Sequence, residues 1–280
     1  MLSAKMIAYY IIGFGAFMLF FLLPIRKLEW LIPSIYWVNI ILLLSVEFVG
    51  VSKLGAQRWI EIPFINFTIQ PSEIMKPAFV LMLAYLIKKT PPDEEGYNLK
   101  QFLKLSIYIL LPFILILKEP DLGTALMLLI TGYGVLFIVG VNRKIWISIA
   151  LLIGISSPIL YENLHDYQKK RIADFISEKP SYQVRQSIIA IGNGGITGKS
   201  IDEATQTKFK FLPIATSDFI FAYTVERYGF IGGAGLIMLY GFLIMHLLSL
   251  NYKLKDEYFI KAAVSAVALL IFIYVSVNIF

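Results

Sequence analysis

The chain has 280 residues, of which 58% are hydrophobic and 16% are charged, and it carries a net charge of +6. A soluble domain has about a quarter of its residues charged, so the low charge and the mean hydropathy of +0.73 exclude a soluble enzyme and a disordered chain. Because the chain contains no cysteine, a disulfide framework and a thiolate metal site are excluded as well. The composition therefore predicts an all-α polytopic membrane protein.

Eight apolar segments are long enough, or nearly so, to cross the roughly 30 Å hydrocarbon core of a bilayer as helices. The third is short and contains two charged residues, Glu73 and Lys76. We interpret residues 1–280 as a single transmembrane domain. The predicted spans are Met6–Leu23, Leu31–Gly50, Ser72–Ile87, Phe102–Leu117, Leu122–Val141, Ile145–Tyr161, Phe219–Leu250 and Tyr258–Phe280.

The charges of the connections predict the orientation of these spans. Lysine and arginine are concentrated after spans one, three, five and seven, and short positive loops stay in the cytoplasm. This bias accounts for the net charge without nucleic acid as a partner, and it places the long loop of residues 163–217 and both ends of the chain outside. Because an outer N-terminus without a signal peptide is unusual, we expect one further span before this segment and another after it.

Ionisable residues cluster near the outer ends of the predicted spans. An ionisable side chain next to lipid is costly and marks either a buried ion pair or a functional path. Glu73 and Lys76 are three residues apart and share one face of a helix that begins at Pro71. They either neutralise each other inside the bundle, or leave Lys76 and Arg58 facing an anionic ligand.

Two further carboxylates stand directly before apolar helices. Asp121 follows Lys118 in the tight outer turn between the fourth and fifth spans, and capping of the next helix is enough to explain it. Asp218 ends the long outer loop. It is placed either to accept a proton from a substrate or to cap the helix, a role that Ser217 can also supply.

Two features of the chain suggest sites that the residues do not support. The segment of residues 192–200 resembles a P-loop, but the motif needs glycine at the position of Asn193. We expect its glycines to form sharp turns and to let two backbone segments approach closely. His165 and His246 have no second ligand at metal spacing, so no metal site is predicted.

These stretches together resemble the SEDS family (shape, elongation, division and sporulation) of cell-wall proteins. Their order and spacing extend over nearly the whole chain, and Gln57 with the pair Thr205 and Gln206 resembles the RodA-like branch more than the FtsW-like branch. The family has ten spans, so the resemblance implies that the first and the last are absent here. The matching stretches are residues 55–59, 70–73, 120–125, 182–187, 189–195, 205–206, 211–213 and 218–222.

The resemblance implies a peptidoglycan glycosyltransferase that polymerises lipid II and releases undecaprenyl pyrophosphate. Asp218 is then the general base for the acceptor hydroxyl, Arg58, Lys76 and Lys118 hold the pyrophosphate, and Trp59 stacks on a sugar. No cofactor is certain, and a divalent cation, Mg²⁺ or Mn²⁺, is compatible with this chemistry. The other matched residues expected to contact substrate are Glu73, Asp121, Gln183 and Gln186.

The resemblance also implies partners and a location. The expected partners are a class B penicillin-binding protein acting as transpeptidase, other membrane proteins of the rod complex, and membrane lipid. The expected location is the bacterial cytoplasmic (inner) membrane, with an extracytoplasmic active face. Three alternatives stay open at this point: a lipid II flippase or other transporter, an FtsW-like division protein, and a scaffold without activity of its own.

Overall fold

A computed structural model describes residues 4–22, 25–53, 56–62, 67–164, 168–169, 173, 182–200, 202–209, 211, 218–253 and 257–279. The expectations for His165 and Ser217, and for the matched positions 55, 212 and 213, lie outside these ranges. So do residues 165–167, 170–172 and 174–181 of the predicted outer loop.

Each of the eight predicted spans corresponds to one long helix, so the all-α membrane fold is confirmed. In length and composition, five helices of the described ranges could cross a membrane, namely Glu29–Val49, Leu99–Lys118, Leu122–Val139, Ile220–Asn251 and Tyr258–Ile279. The number of spans stays a prediction. In chain order the helices are α1 (Ala4–Leu22), α2 (Ile25–Leu28), α3 (Ile32–Val49), α4 (Pro71–Lys89), α5 (Leu99–Lys118), α6 (Leu122–Val139), α7 (Arg143–Glu162), α8 (Tyr182–Gly194), α9 (Thr205–Lys208), α10 (Ile220–Lys253) and α11 (Tyr258–Ile279).

Local sequence signals determine where these helices begin. Pro71 occupies the first turn of α4, where its missing N–H would have no helical partner in any case. Asn98 and Gln101 form a reciprocal capping box at the start of α5. Asp121 caps α6 by accepting a hydrogen bond from the Thr124 N–H at 3.3 Å, as its position predicted.

The core lies where α3, α4, α5, α6 and α11 meet. Tyr36, Phe79, Ile109, Leu128 and Ala266, one from each helix, are fully or almost fully buried in one cluster. The outward faces are also apolar, and the large side chains along them are exposed. An apolar exterior around an apolar core is the pattern of helices surrounded by lipid, so the chain is a multi-pass membrane protein.

A small antiparallel sheet joins α3 to α4, and this was not predicted. It contains β1 (Val51–Lys53), β2 (Ala56–Ile62) and β3 (Phe67–Ile69), in the order β1-β2-β3. The strands are too short and too polar to stand out against the apolar spans. The sheet gives the connection between α3 and α4 a fixed shape and places Arg58 and Trp59 on its central strand.

The glycine-rich segment packs against a break in α10, which confirms the structural interpretation of its glycines. Gly229 interrupts α10 with φ of 67°, a left-handed conformation that favours glycine. The N–H groups of Phe230 and Ile231 donate to carbonyls of Gly195 and Ile196, at 2.8 and 3.2 Å. A Cβ on Gly229 would overlap the Ile196 carbonyl oxygen, so the two backbones are in close contact there.

Candidate functional site

Arg58 connects the small sheet to the turn between α5 and α6 through hydrogen bonds. Its Nε donates to the Glu119 carbonyl oxygen at 3.1 Å, and Nη2 donates to the carbonyl oxygen of Pro120. Nη1 lies 3.9 Å from Oδ2 of Asp121. The planar fork of the guanidinium suits such divided contacts. Arg58 is therefore a positioned cation, only partly exposed to solvent.

Asp121 and Gln70 continue this line of contacts toward α4. Gln70 is the residue directly before α4, and its Nε2 lies 3.4 Å from Asp121 Oδ2 and 3.0 Å from Ser72 Oγ. Asp121 also caps α6. One carboxylate thus joins the sheet, the start of α4 and the start of α6, and capping is only part of its role.

Lys76 forms the next link, between α4 and α11. Its Nζ lies 2.7 Å from Glu73 Oε1, which confirms that the two residues share one helix face. It also hydrogen-bonds Tyr274 Oη and lies 4.9 Å from the centre of that ring. The Lys76 side chain is 10% exposed and the Glu73 side chain 57% exposed. The pair is therefore asymmetric, with a fixed cation and a carboxylate that can move into solvent.

The last turns of α11 connect Lys76 to the start of α10. Tyr274 and Asn278 are one helical turn apart, about 6 Å along the axis. Asn278 Oδ1 accepts a hydrogen bond from the N–H of Phe221 at 3.2 Å. Asp218 lies three residues before Phe221, in the turn that leads into α10, and it is exposed. The structure thus brings Arg58, Asp121 and Lys76 to the same end of the bundle as Asp218.

Two other predicted site residues lie near the Arg58 end of this line of contacts. Lys118 is exposed and lines a cavity of about 290 Å³ together with Gln57 and with Glu119 and Pro120, whose carbonyls accept from Arg58. Trp59 is half-buried in β2, where it pairs with Val51. Neither is placed against Lys76 by any contact among the described residues.

Gln183 and Gln186 lie on α8, which packs against the first part of α10. They share a helix face with Ala190, because the spacings of three and four residues bring all three together. Ala190 is buried against Ala222, four residues after Asp218. Gln183 is exposed and Gln186 half-buried. The side chains of Gln183 and Gln186 therefore lie on the face of α8 that packs against α10, the helix that follows Asp218.

Sequence reasoning missed Glu119, a buried carboxyl beside Arg58. It is 7% exposed, and neither side-chain oxygen has a hydrogen-bond partner among the described residues. The pKa of Glu119 is raised to about 8, chiefly by burial and also by the charge of Asp121, while the charge of Arg58 partly opposes the shift. The only signal in the sequence was its place in a polar turn, which Lys118 and Asp121 obscured.

Glu226 is a second buried carboxyl that had no clear predicted role. It is fully buried in α10, and its Oε1 accepts a hydrogen bond from the Gln206 N–H at 3.0 Å. Its own carbonyl accepts from the Lys199 N–H at 3.0 Å. Arg227 Nη1 in turn donates to the Lys199 carbonyl at 3.2 Å. Glu226 and Arg227 therefore attach α9 and the glycine-rich segment to α10.

An apolar groove opens between α10 and α11 at the same end of the bundle. Its volume is about 440 Å³, and its walls include Phe221, Tyr240, Ile271, Tyr274 and Asn278. Tyr274 connects it to Lys76, because the ring lines the groove while the hydroxyl contacts the ammonium group. The Lys76 ammonium group therefore lies at the edge of the apolar groove.

The residues do not form an evident metal site. Within the described ranges, no group of three or more histidine, aspartate or glutamate residues is arranged to hold an ion. Glu73 is engaged by Lys76, and Asp121 by Arg58 and Gln70. The divalent cation therefore stays a prediction.

Comparison with known proteins supports one family throughout. A peptidoglycan glycosyltransferase MrdB of Helicobacter pylori is 55% identical over 99% of this chain and 73% of its own length. An Escherichia coli protein of the same name is 35% identical over 92% of this chain and 70% of its own length. A protein of Escherichia coli called probable peptidoglycan glycosyltransferase FtsW is 36% identical over 77% of this chain and 52% of its own length.

Solved structures agree with the fold. The rod shape determining protein RodA of Thermus thermophilus matches with a TM-score of 0.56 at 25% identity, over 90% of this chain and 67% of that chain. A chain from a structure on the coordination of polymerization and crosslinking by a peptidoglycan synthase complex matches with a TM-score of 0.74 at 24% identity, over 92% and 73%. The profile described as cell cycle protein, covering FtsW, RodA and SpoVE, matches residues 1–280, and the chain therefore belongs to the FtsW/RodA/SpoVE family of multi-pass membrane proteins.

Proposed function

We propose that this chain is a peptidoglycan glycosyltransferase of the elongation machinery, which polymerises lipid II at the outer face of the bacterial cytoplasmic membrane. The activity follows from the name of relatives that are 55% identical over nearly the whole chain. The observation that carries the site is the line of contacts from Arg58 through Asp121 and Lys76 to the helix that follows Asp218.

The cations suit a pyrophosphate. Lys76 is fixed by Tyr274, and its partner Glu73 is more than half exposed. An arriving phosphate oxygen can therefore replace the Glu73 carboxylate without moving Lys76. Cations that are positioned before the reaction stabilise the negative charge that develops on a leaving pyrophosphate. In this proposal Arg58 holds the turn of Asp121 at the edge of the same site.

The groove between α10 and α11 suits the lipid part of the substrate. Its walls are mostly apolar, and it begins beside the Tyr274 hydroxyl that contacts Lys76. A polyprenyl chain lying in the groove would place its pyrophosphate next to Lys76. A cation beside an apolar groove suits a substrate that is charged at one end and apolar for the rest of its length.

Asp218 is proposed as the general base. It accepts the proton of the acceptor sugar hydroxyl while that oxygen forms a bond to the anomeric carbon of the donor. The bond between the anomeric carbon and the phosphate oxygen breaks, and undecaprenyl pyrophosphate leaves with the electron pair. Asp218 is exposed just before α10, next to the groove that Ile220 and Phe221 line.

The distribution of buried charge favours an enzyme over a transporter. Transporters carry ionisable groups near the middle of the membrane, at broken and repeated helices. Among the described residues, the buried charged side chains are Lys76, Glu119 and Glu226. Lys76 and Glu119 lie toward the end of the bundle that holds Asp218, and Glu226 lies eight residues after Asp218, before the break at Gly229. The proposed partner is a class B penicillin-binding protein, because one structural match belongs to a synthase complex that couples polymerization to crosslinking.

The test is a polymerisation assay with the purified full-length protein and its partner. Labelled lipid II should be converted to glycan strands, and Lys76→Gln should lower the rate about 100-fold, as loss of one preorganised donor does. Lys169→Gln is the matched control, because Nζ of Lys169 donates to the Glu162 carbonyl at the end of α7 and not to a residue of the proposed site, and it should stay within about twofold. Movement of lipid II across vesicles without strand formation would identify a flippase instead.

A further inference from the structure

We propose that a pocket between the end of α4 and the start of α5 binds the headgroup and upper acyl chain of an anionic phospholipid. The pocket lies at the end of the bundle opposite to Asp218 and has a volume of about 530 Å³. Three lysines and three apolar residues account for most of its wall, namely Lys89, Lys100, Lys104, Leu86, Leu103 and Ile107.

The three lysines do not pair with the carboxylates of the connecting loop, Asp93, Glu94 and Glu95, in the described part of the chain. Lys100 and Lys104 are one turn apart on α5 and therefore share a face, and Lys89 is the last residue of α4. All three are exposed, and none forms an ion pair within the described part of the chain. The neighbouring Lys88 differs, because Glu29 holds its Nζ at 2.6 Å. Lys88 is therefore engaged by a carboxylate, whereas the lysines of the pocket are available to a phosphate.

The apolar wall distinguishes a lipid from a soluble anion. Leu103 and Ile107 begin a stripe on α5 that continues through Leu110 and Ile114, all four exposed. The spacings of three and four residues keep this stripe on one face of the helix. An acyl chain can lie along the stripe while its phosphate contacts the lysines. A free polyanion would leave the apolar wall uncovered.

The first turn of α5, which carries Lys100, is fixed by a capping box. Asn98 Oδ1 accepts from the Gln101 N–H at 3.0 Å, and Gln101 Oε1 accepts from the Asn98 N–H at 3.1 Å. This capping box fixes the first turn, so Lys100 is presented on a rigid backbone. The positive end of the helix dipole adds to the field at the same place. Basic pockets between helices at the cytoplasmic side of a membrane typically take anionic headgroups in this way.

The experiment is native mass spectrometry of the full-length protein in detergent, titrated with phosphatidylglycerol and with phosphatidylcholine of the same acyl chains. Wild type should bind phosphatidylglycerol saturably and at least tenfold more tightly than phosphatidylcholine. Two triple variants lose the same charge at this end of the bundle: Lys89→Gln, Lys100→Gln and Lys104→Gln in the pocket, and Lys27→Gln, Arg143→Gln and Lys261→Gln elsewhere.

The pocket variant should bind phosphatidylglycerol about 100-fold more weakly, at roughly fivefold for each lysine. The control variant should stay within about threefold of wild type. Equal losses in the two variants would show general attraction to positive loops and overturn the proposal. Leu103→Asn with Ile107→Asn keeps every lysine and should still weaken binding about tenfold. Unchanged binding in that variant, or displacement of the lipid by millimolar inorganic phosphate, would also overturn it.

Discussion

Glu119→Gln tests the electrostatics of the turn between α5 and α6, and it should make the protein more stable at alkaline pH. The folded state raises the pKa of Glu119 from 4.5 to about 8, chiefly through burial. The folded state therefore keeps a proton that the unfolded state loses, and stability must fall as the pH rises from about 4.5 to about 8. Glutamine has nearly the same shape and does not ionise.

The expected change in the free energy of unfolding follows from the rise in the pKa of Glu119. Each pKa unit is about 1.4 kcal/mol, so ionised Glu119 costs at most about 5 kcal/mol. Entry of water on ionisation reduces this cost, and we expect a gain of about 2–4 kcal/mol for Glu119→Gln at pH 9. At pH 4.5 the variant and wild type should be nearly equal.

The assay is unfolding of the purified protein in detergent at pH 5, 7 and 9. Glu203→Gln is the control, since Glu203 is fully exposed and hydrogen bonds from Ser200 lower its pKa. Its stability difference from wild type should be small and should not grow above pH 5. Parallel pH curves for wild type and Glu119→Gln would refute the buried, proton-holding state of this carboxyl.

Three further substitutions test the packing of the site. Arg58→Lys removes the divided contacts with the α5–α6 turn, and it should lower stability by about 1–3 kcal/mol and polymerisation by about tenfold or more. Tyr274→Phe keeps the ring but loses the hydroxyl contact with Lys76, which should cost about 1–2 kcal/mol on thermal unfolding. Gly229→Ala should lower stability by at least about 2 kcal/mol, because its φ is positive and its Cβ would meet the Ile196 carbonyl. Gly241→Ala is the matched control, since nothing lies within 4 Å of its Cβ and alanine favours a helix; an equal loss in both glycine variants would contradict the close backbone contact.

Features that depend on local spacing were predictable from the sequence. The helices follow from apolar length, the pairing of Glu73 with Lys76 from a spacing of three, and the cap at Asp121 from its place before an apolar segment. Each of these depends on residues close together in the chain. The glycines near Gly194 and Gly198 were also predicted to bring backbones together, although their partner segment at Gly229 was not identified.

Features that depend on distant contacts were not predictable. Tyr274 and Asn278 contribute to the site from the end of α11, about 200 residues after Lys76, and their sequence is that of an ordinary apolar span. The burial of Glu119 results from packing between α5, α6 and the small sheet. The sheet was not predicted because its strands are short and their pattern is weak beside the apolar helices on either side. Asp218 was identified as a candidate from the sequence. Its place at the same end of the bundle as Lys76 could not be predicted, because the contacts between the two segments pass through Tyr274 and Asn278 of α11.

The most direct test of the proposed function is strand synthesis by Asp218→Asn, in the purified full-length protein with its partner. Asparagine keeps the size of the side chain but cannot accept the proton, so the account predicts that labelled lipid II stays unpolymerised although the protein folds and reaches normal levels. Asp202→Asn, an exposed aspartate in the segment before α9, should make strands at the wild-type rate. Glycan strands of normal length and yield from Asp218→Asn would contradict the assignment of Asp218 as the base.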